Sequence, residues 1–204
     1  LTNSPAIKVA VAPAAPATNV GNLSPVTPLP SKPAPIRYKY ISPTKPADGD
    51  RVAAQQFFSQ AIKAQKEKHL PPALEAYRSA TKSDPGFFDG WFYFGLAASD
   101  AGDFAAALGA LENALAIKPD SSDARYAFGW TLQKGNYFQD AANELEKLLI
   151  QSPNEIRAHL LLANLYSQKL DQTKLAREHY LKVLEADPRN SQATSIRYWL
   201  AAHP

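Results

Sequence analysis

The chain has 204 residues, a formal net charge of +3 and no cysteine. Without cysteine there is no disulfide, thiolate metal site or cysteine nucleophile, and no apolar run approaches the ~18 residues of a membrane-spanning helix. Residues 1–50 hold five basic and two acidic side chains, while the other 17 basic residues are matched by 17 acidic ones. That scatter lacks the clustered cationic face of a nucleic-acid binder, so no nucleic acid is expected among the partners.

Ten of the 17 prolines fall in residues 1–50, among Ala, Thr, Ser and Val. Such a stretch buries no core and favours extended, polyproline-like conformations, so residues 1–49 are expected to form a proline-rich arm or linker. Two pieces break this pattern. Ile7, Val9 and Val11 alternate as in a strand with one buried face, and Arg37-Tyr38-Lys39-Tyr40-Ile41 alternates basic with aromatic. Fixing five residues costs about 1–2 kcal/mol each, and burying Ile7, Val9 and Val11 returns about 1.5–3 kcal/mol each. The two nearly cancel, so these pieces need backbone pairing or a preformed pocket. Ile7, Val9, Val11, Tyr38 and Tyr40 are therefore the expected arm contacts. At ~3.1 Å per residue the arm reaches ~150 Å, enough to cover the chain's own groove or a neighbour's. No methionine is present, even at the first position, which reads as a processed or trimmed product. Leu1, standing where a lipoprotein carries its lipidated cysteine, speaks against that anchor for the chain as it stands.

From residue 50 a repeat takes over. Pro85, Pro119, Pro153 and Pro188 are spaced 34, 34 and 35 residues apart, and each follows a matching pair: Ala73/Tyr77, Ala107/Leu111, Ala141/Leu145 and Ala176/Tyr180. A fixed period of this length means stacked copies of one supersecondary unit. The fullest copy runs Trp91, Phe94-Gly95, Ala98, Ala107, Leu111, Ala114, Pro119; Phe128-Gly129 with Leu132 and Leu162-Ala163 with Tyr166 continue it, and Phe57, Ala61 and Ala64 form a weaker first copy. This resembles the tetratricopeptide repeat (TPR), W-x2-L-G-x2-Y, A-x3-F, P, over residues 51–188. The resemblance implies an all-α, TPR-type α-solenoid of four helix pairs over residues 50–188. Residues 189–204 follow as a capping helix with Ile196, Trp199 and Leu200 on one face.

Local chemistry agrees. Gly95, Gly129, Ala107 and Ala141 are small where paired helices should touch. Gly102 and Gly135 stand where first helices should stop in a left-handed conformation. Asp120 and Asn154 are expected to cap the helices that follow. His69-Leu70-Pro71-Pro72 should start a helix on proline, and one extra residue near Leu170–Thr173 should lengthen the last turn.

In the TPR family the first helix of each pair lines a concave face that binds extended peptides. Carried onto this chain, the groove positions are Phe58 and Ile62, Phe92 and Leu96, Tyr126 and Trp130, Leu160 and Asn164. Gln55, Asp89, Asp123 and Arg157 lie lower, and Gln65, Ser99, Gln133 and Ser167 lie towards the helix ends. The lining is apolar and aromatic, as suits an apolar or proline-rich ligand. The Lys, Asn and Arg carboxylate clamp of chaperone-binding TPR domains is missing.

No metal-ligand spacing, phosphate loop or nucleophile elbow appears. His159 and His179 sit on the two helices of repeat four and read as structural histidines. Glu144 and Glu146 read as members of a solvated helix face. The chain is thus expected to be a non-enzymatic scaffold with a protein or peptide partner and no cofactor or metal. The alternative is a structural subunit that self-assembles by docking its arm on a neighbouring protomer. The cysteine-free, proline-led composition points to a bacterial periplasm or cell surface, with the cytoplasm as alternative.

Overall fold

The computed structural model describes residues 36–204; the Ile7/Val9/Val11 stretch lies outside the described residues. Among the described residues nine α-helices follow a short lead without helix or strand: α1 (Arg51–Lys66), α2 (Leu70–Ser83), α3 (Phe88–Asp100), α4 (Phe104–Ile117), α5 (Ser122–Lys134), α6 (Phe138–Gln151), α7 (Ile156–Gln168), α8 (Thr173–Ala186) and α9 (Ala193–Ala202). Consecutive helices pack as α1–α2, α3–α4, α5–α6 and α7–α8, and the pairs join through α2–α3, α4–α5 and α6–α7. Helix α5 also meets α3 and α7, so these three share one layer, with α4 and α6 behind them.

The period prolines end helices by a local mechanism. Asp84, Lys118, Ser152 and Asp187 each precede one, and each is extended, with φ from −129° to −138°. The proline ring crowds the residue before it out of the helical region. The proline carbonyls then need partners. Trp91 Nε1 donates to Pro85 O at 2.8 Å, Arg125 Nη2 to Pro119 O at 2.7 Å, and His159 Nε2 meets Pro153 O at 2.9 Å, each six residues after its proline. Three unlike side chains, 34 positions apart, thus perform one task. Arg197 Nη2 reaches Pro188 O at 2.9 Å from nine residues on.

The first helix of each pair is followed by a left-handed residue: Lys68 (φ 62°), Gly102 (φ 80°), Asn136 (φ 65°) and Asp171 (φ 54°). Gly102 is as expected. Gly135 is not the left-handed residue, its φ being −77°, because Asn136, which tolerates that region, stands at the equivalent place. The expected caps also shift by one. Ser121 caps α5 by accepting from Ala124 N, and Glu155 precedes α7 without a side-chain cap. Asp120 and Asn154 belong to the proline turns instead. Helix α2 starts on Leu70 and not on proline, with Pro71 second and Pro72 third, and the turn before α8 is longer by one residue.

The helix pairs close on small residues. A Cβ on Gly95 would stand 2.7 Å from Leu111 Cγ, and one on Gly129 2.9 Å from Leu145 Cγ. Leu111, Leu145, Phe128, Leu132, Leu162 and Val183 are buried, each contributing about 1.5–3 kcal/mol relative to exposure. At the far end Ile196 is buried, and Trp199 sits 5.0 Å from the Tyr180 ring. Arg177 Nη1 donates to Leu200 O and His203 O, satisfying carbonyls at the end of α9 that have no helical partner.

Candidate peptide-binding cavity

The repeat period arranges the inner side chains in columns. Phe92 and Leu96 lie one turn apart on α3, and Tyr126 and Trp130 occupy the same positions on α5, 34 residues later. Together with Asp123, Ala127 and Arg157 they line a cavity of about 440 Å³. One end of the cavity is charged. Arg157 donates through Nη2 to Asp123 Oδ1 at 2.9 Å and through Nε to Glu155 Oε1 at 2.9 Å, and its guanidinium lies 4.8 Å from the Tyr126 ring centroid. Hydrogen bonding to Glu155, then Asp123, raises the Arg157 pKa, while hydrogen bonding to Arg157 lowers that of Glu155. Burial pushes the Tyr126 hydroxyl up. At the other end, Trp130 is 40% exposed, with Lys134 Nζ 5.2 Å from its ring. Trp130 also borders a neighbouring depression of about 280 Å³ with Lys134, Phe138 and Lys169.

Four of the eight expected groove positions therefore meet in this cavity, and four do not. Phe58 packs edge-on against Phe87 and Tyr93, 5.4 Å from each, and tilted against Tyr77 at 5.7 Å. Ile62 joins the core of the first two helix pairs, and Leu160 leans on the larger core. Asn164 Oδ1 accepts from Tyr180 OH at 2.7 Å. Of the flanking positions, Asp123 and Arg157 join the cavity. Gln65 Oε1 accepts from Tyr77 OH, and Ser99 pairs with Thr131.

Tyr38 and Tyr40 lie elsewhere, on the layer of α4 and α6. Arg37 donates to Asp140 through Nη2 at 2.7 Å and Nε at 3.0 Å, and Tyr38 N donates to Asp140 Oδ2 at 2.8 Å. Tyr38 OH, Ile41 N and Ser42 N all donate to Glu112, at 2.6, 3.0 and 2.6 Å. Tyr40 OH donates to Glu144 Oε1 at 3.2 Å. The Tyr38 and Tyr40 rings pack edge-on against Phe128, each at 5.9 Å, and Tyr38 also against Tyr137 at 5.4 Å. Burial foremost, with the adjoining carboxylates, raises both tyrosine pKa values. Glu144 is thus not on a solvated face. It is buried, and it also accepts from Arg125 and Lys147. Beyond this seat the lead continues without helix or strand to a second anchor, where buried Asp84 accepts from Gly49 N and Gly86 N and pairs with Arg51.

In repeat four, His159 Nδ1 meets His179 Nδ1 at 2.9 Å, and His179 Nε2 meets Glu146 Oε1 at 3.3 Å. Among the described residues no group of three or more His, Cys, Asp or Glu side chains could hold a metal ion. None of the described helices is long and apolar enough to cross a membrane.

Three family models, each described as tetratricopeptide repeat, match residues 58–124, 98–165 and 156–190; together they run over more than half of the chain. The chain belongs to the tetratricopeptide repeat family. Solved TPR solenoids share its fold. The crystal structure of MamA covers 74% of this chain with 86% of its own, at TM-score 0.65 and 18% identity. MamA from residue 41 to the end, of Desulfovibrio magneticus RS-1, covers 76% with 94% of its own, at TM-score 0.63 and 19% identity. YrrB, a TPR protein with an unusual peptide-binding site, covers 73% with 76% of its own, at TM-score 0.64 and 18% identity. At such identities the likeness is one of fold. The PEX5-related proteins of Mus musculus and Homo sapiens are each 27% identical over 96 residues, 47% of this chain. That stretch is 17% and 15% of their own lengths, so this TPR chain matches less than a fifth of either.

Proposed function

We propose that this TPR chain is a non-enzymatic interaction scaffold that takes an extended apolar or proline-rich segment in the cavity between α3, α5 and α7. The carrying observation is the cavity itself: Phe92, Leu96, Tyr126 and Trp130 present two apolar columns, closed at one end by the Asp123–Arg157 pair. Flat aromatic walls suit polyproline ligands, which enter already extended and lose little entropy on binding. Such ligands carry free backbone carbonyls, and an indole N–H such as that of Trp130 is a donor for them. The peptide-binding site for which YrrB is described supports the reading on the same fold.

The test is a titration of the full chain with decaproline, and with a peptide of residues 23–35, followed by calorimetry. Saturation is expected in the wild type. Trp130→Ala should weaken binding by tenfold or more, of the order of 2 kcal/mol for an aromatic hot spot. Equal binding by Trp130→Ala sinks the cavity assignment. A second reading, in which the arm joins protomers, is favoured by the seating of residues 37–42 on carboxylates that every copy presents. It predicts an oligomer by light scattering that shortens to monomer when residues 1–49 are removed. For location, we propose the bacterial periplasm or cell surface, to be checked by fractionation.

A further inference from the structure

We infer that the face formed by α4, α5 and α6 is a second peptide-recognition site, separate from the cavity. Its ligand class is an extended segment reading Arg-Tyr-x-Tyr, and the chain keeps it filled in cis with its own residues 37–42.

The seat has the marks of recognition. Three carboxylates on two helices each read a different part of the segment. Asp140 takes the guanidinium of Arg37 and the amide of Tyr38, Glu112 the hydroxyl of Tyr38 and the amides of Ile41 and Ser42, and Glu144 the hydroxyl of Tyr40. Two rings enter an aromatic corner made by Phe128 and Tyr137. Lys39, between the two tyrosines, is exposed. An extended strand read by its amides and by alternate side chains is how grooves select peptides. Arg suits the first place because its planar fork matches a carboxylate in a way lysine does not.

The charge accounting also points to a ligand. Glu112 and Asp140 are buried, at 6% and 0% exposure. Among the described residues, all their side-chain hydrogen bonds and ion pairs come from residues 37–42. Burying carboxylates is a poor way to gain stability and a good way to gain selectivity, because a mismatched occupant leaves charge unpaired. The segment is also separable from the fold. Residues 43–50 carry no helix or strand, and their far end is tied independently by Gly49 N to Asp84 and Asp50 N to Ser83 O. The segment can leave its seat while α1 stays anchored. A short tether gives an effective concentration in the millimolar range, which favours the chain's own segment over a second copy's in dilute solution.

The test uses a fluorescein-labelled peptide of residues 35–43 and the full chain, read by anisotropy. In the variant R37A/Y38A/Y40A the seat is vacated with its carboxylates intact. Saturable binding is expected there, at least about tenfold tighter than to the wild type, whose tethered segment competes. Adding Asp140→Asn should reduce it tenfold or more, and a peptide with Arg37→Ala and Tyr38→Phe should bind as weakly. Should the triple variant lose its helical circular dichroism, R37A/Y38F, which removes the Arg37 and Tyr38 hydroxyl contacts and keeps both rings, is read the same way. The proposal is overturned if a folded, vacated chain ignores the peptide or binds the native and altered peptides alike. It is also overturned if the wild type is a dimer that the substitutions dissolve, since the segment then sits in trans. None of these outcomes bears on the decaproline titration, so the two proposals fail separately.

Discussion

Gly95 and Gly109 offer one substitution with two opposite outcomes. Both lie inside helices, α3 and α4, where alanine is favoured over glycine by about 1 kcal/mol. At Gly95 a new Cβ would stand 2.7 Å from Leu111 Cγ, 2.9 Å from its Cδ2 and 3.3 Å from Ala107 O, against an optimum of about 3.5–4.0 Å between carbons. Leu111 is fully buried and has no room to retreat, so overpacking of about 1–3 kcal/mol sets in. Gly95→Ala should therefore lose about 0–2 kcal/mol net. At Gly109 the contact is Ile41 Cδ1 at 3.3 Å. Ile41 is 63% exposed and moves aside, so Gly109→Ala should gain about 1 kcal/mol. At about 2–4 °C per kcal/mol for a chain of this size, melting followed by circular dichroism should separate the variants by about 2–12 °C. If Gly95→Ala melts as high as Gly109→Ala, the close approach of α3 to α4 is not what requires glycine, and the packing argument for Gly95 and Gly129 fails together.

Trp91→Phe keeps a ring but deletes the donor to Pro85 O, and should lower stability by about 0.5–1.5 kcal/mol in denaturant titration. No change would mean that the shared proline-carbonyl bond does not fasten the repeats. Burial, foremost, lowers the His159 pKa, so the unfolded chain takes up that proton first. This contribution is complete above the ordinary imidazole value and declines as pH falls through it. His179, Glu146 and Lys182 are the charged groups around His159. The wild-type melting temperature should fall from pH 7.5 to 5.5 by more than that of His159→Gln. Parallel pH profiles would count against it.

How much was legible follows the range of the interaction. Proline acts on the residue before it, so the ends of α2, α4, α6 and α8 were visible in the spacing of Pro85, Pro119, Pro153 and Pro188. The same period put Phe92 over Tyr126 and Leu96 over Trp130, which is why half of the expected groove lines the cavity. Capping was legible only to within a residue, because Asp120 and Ser121 are both competent caps and the turn geometry chooses between them. Phe58, Ile62, Leu160 and Asn164 share the repeat phase of the cavity residues, yet neighbours specific to each repeat, such as Tyr93 for Phe58 and Tyr180 for Asn164, engage them.

Glu112, Asp140 and Glu144 mark the limit. Within their helices they are indistinguishable from solvated acids, since a helix buries nothing by itself. What covers them is a segment 70 to 104 residues earlier in the chain. The sequence by itself determined the helix pairs, their ends and the small residues between them, because these depend on neighbours along the chain or one period away. Only the tertiary structure decided which acids are buried, which donor meets each proline carbonyl and where Tyr38 and Tyr40 rest. Those outcomes depend on desolvation and on contacts that no local pattern encodes.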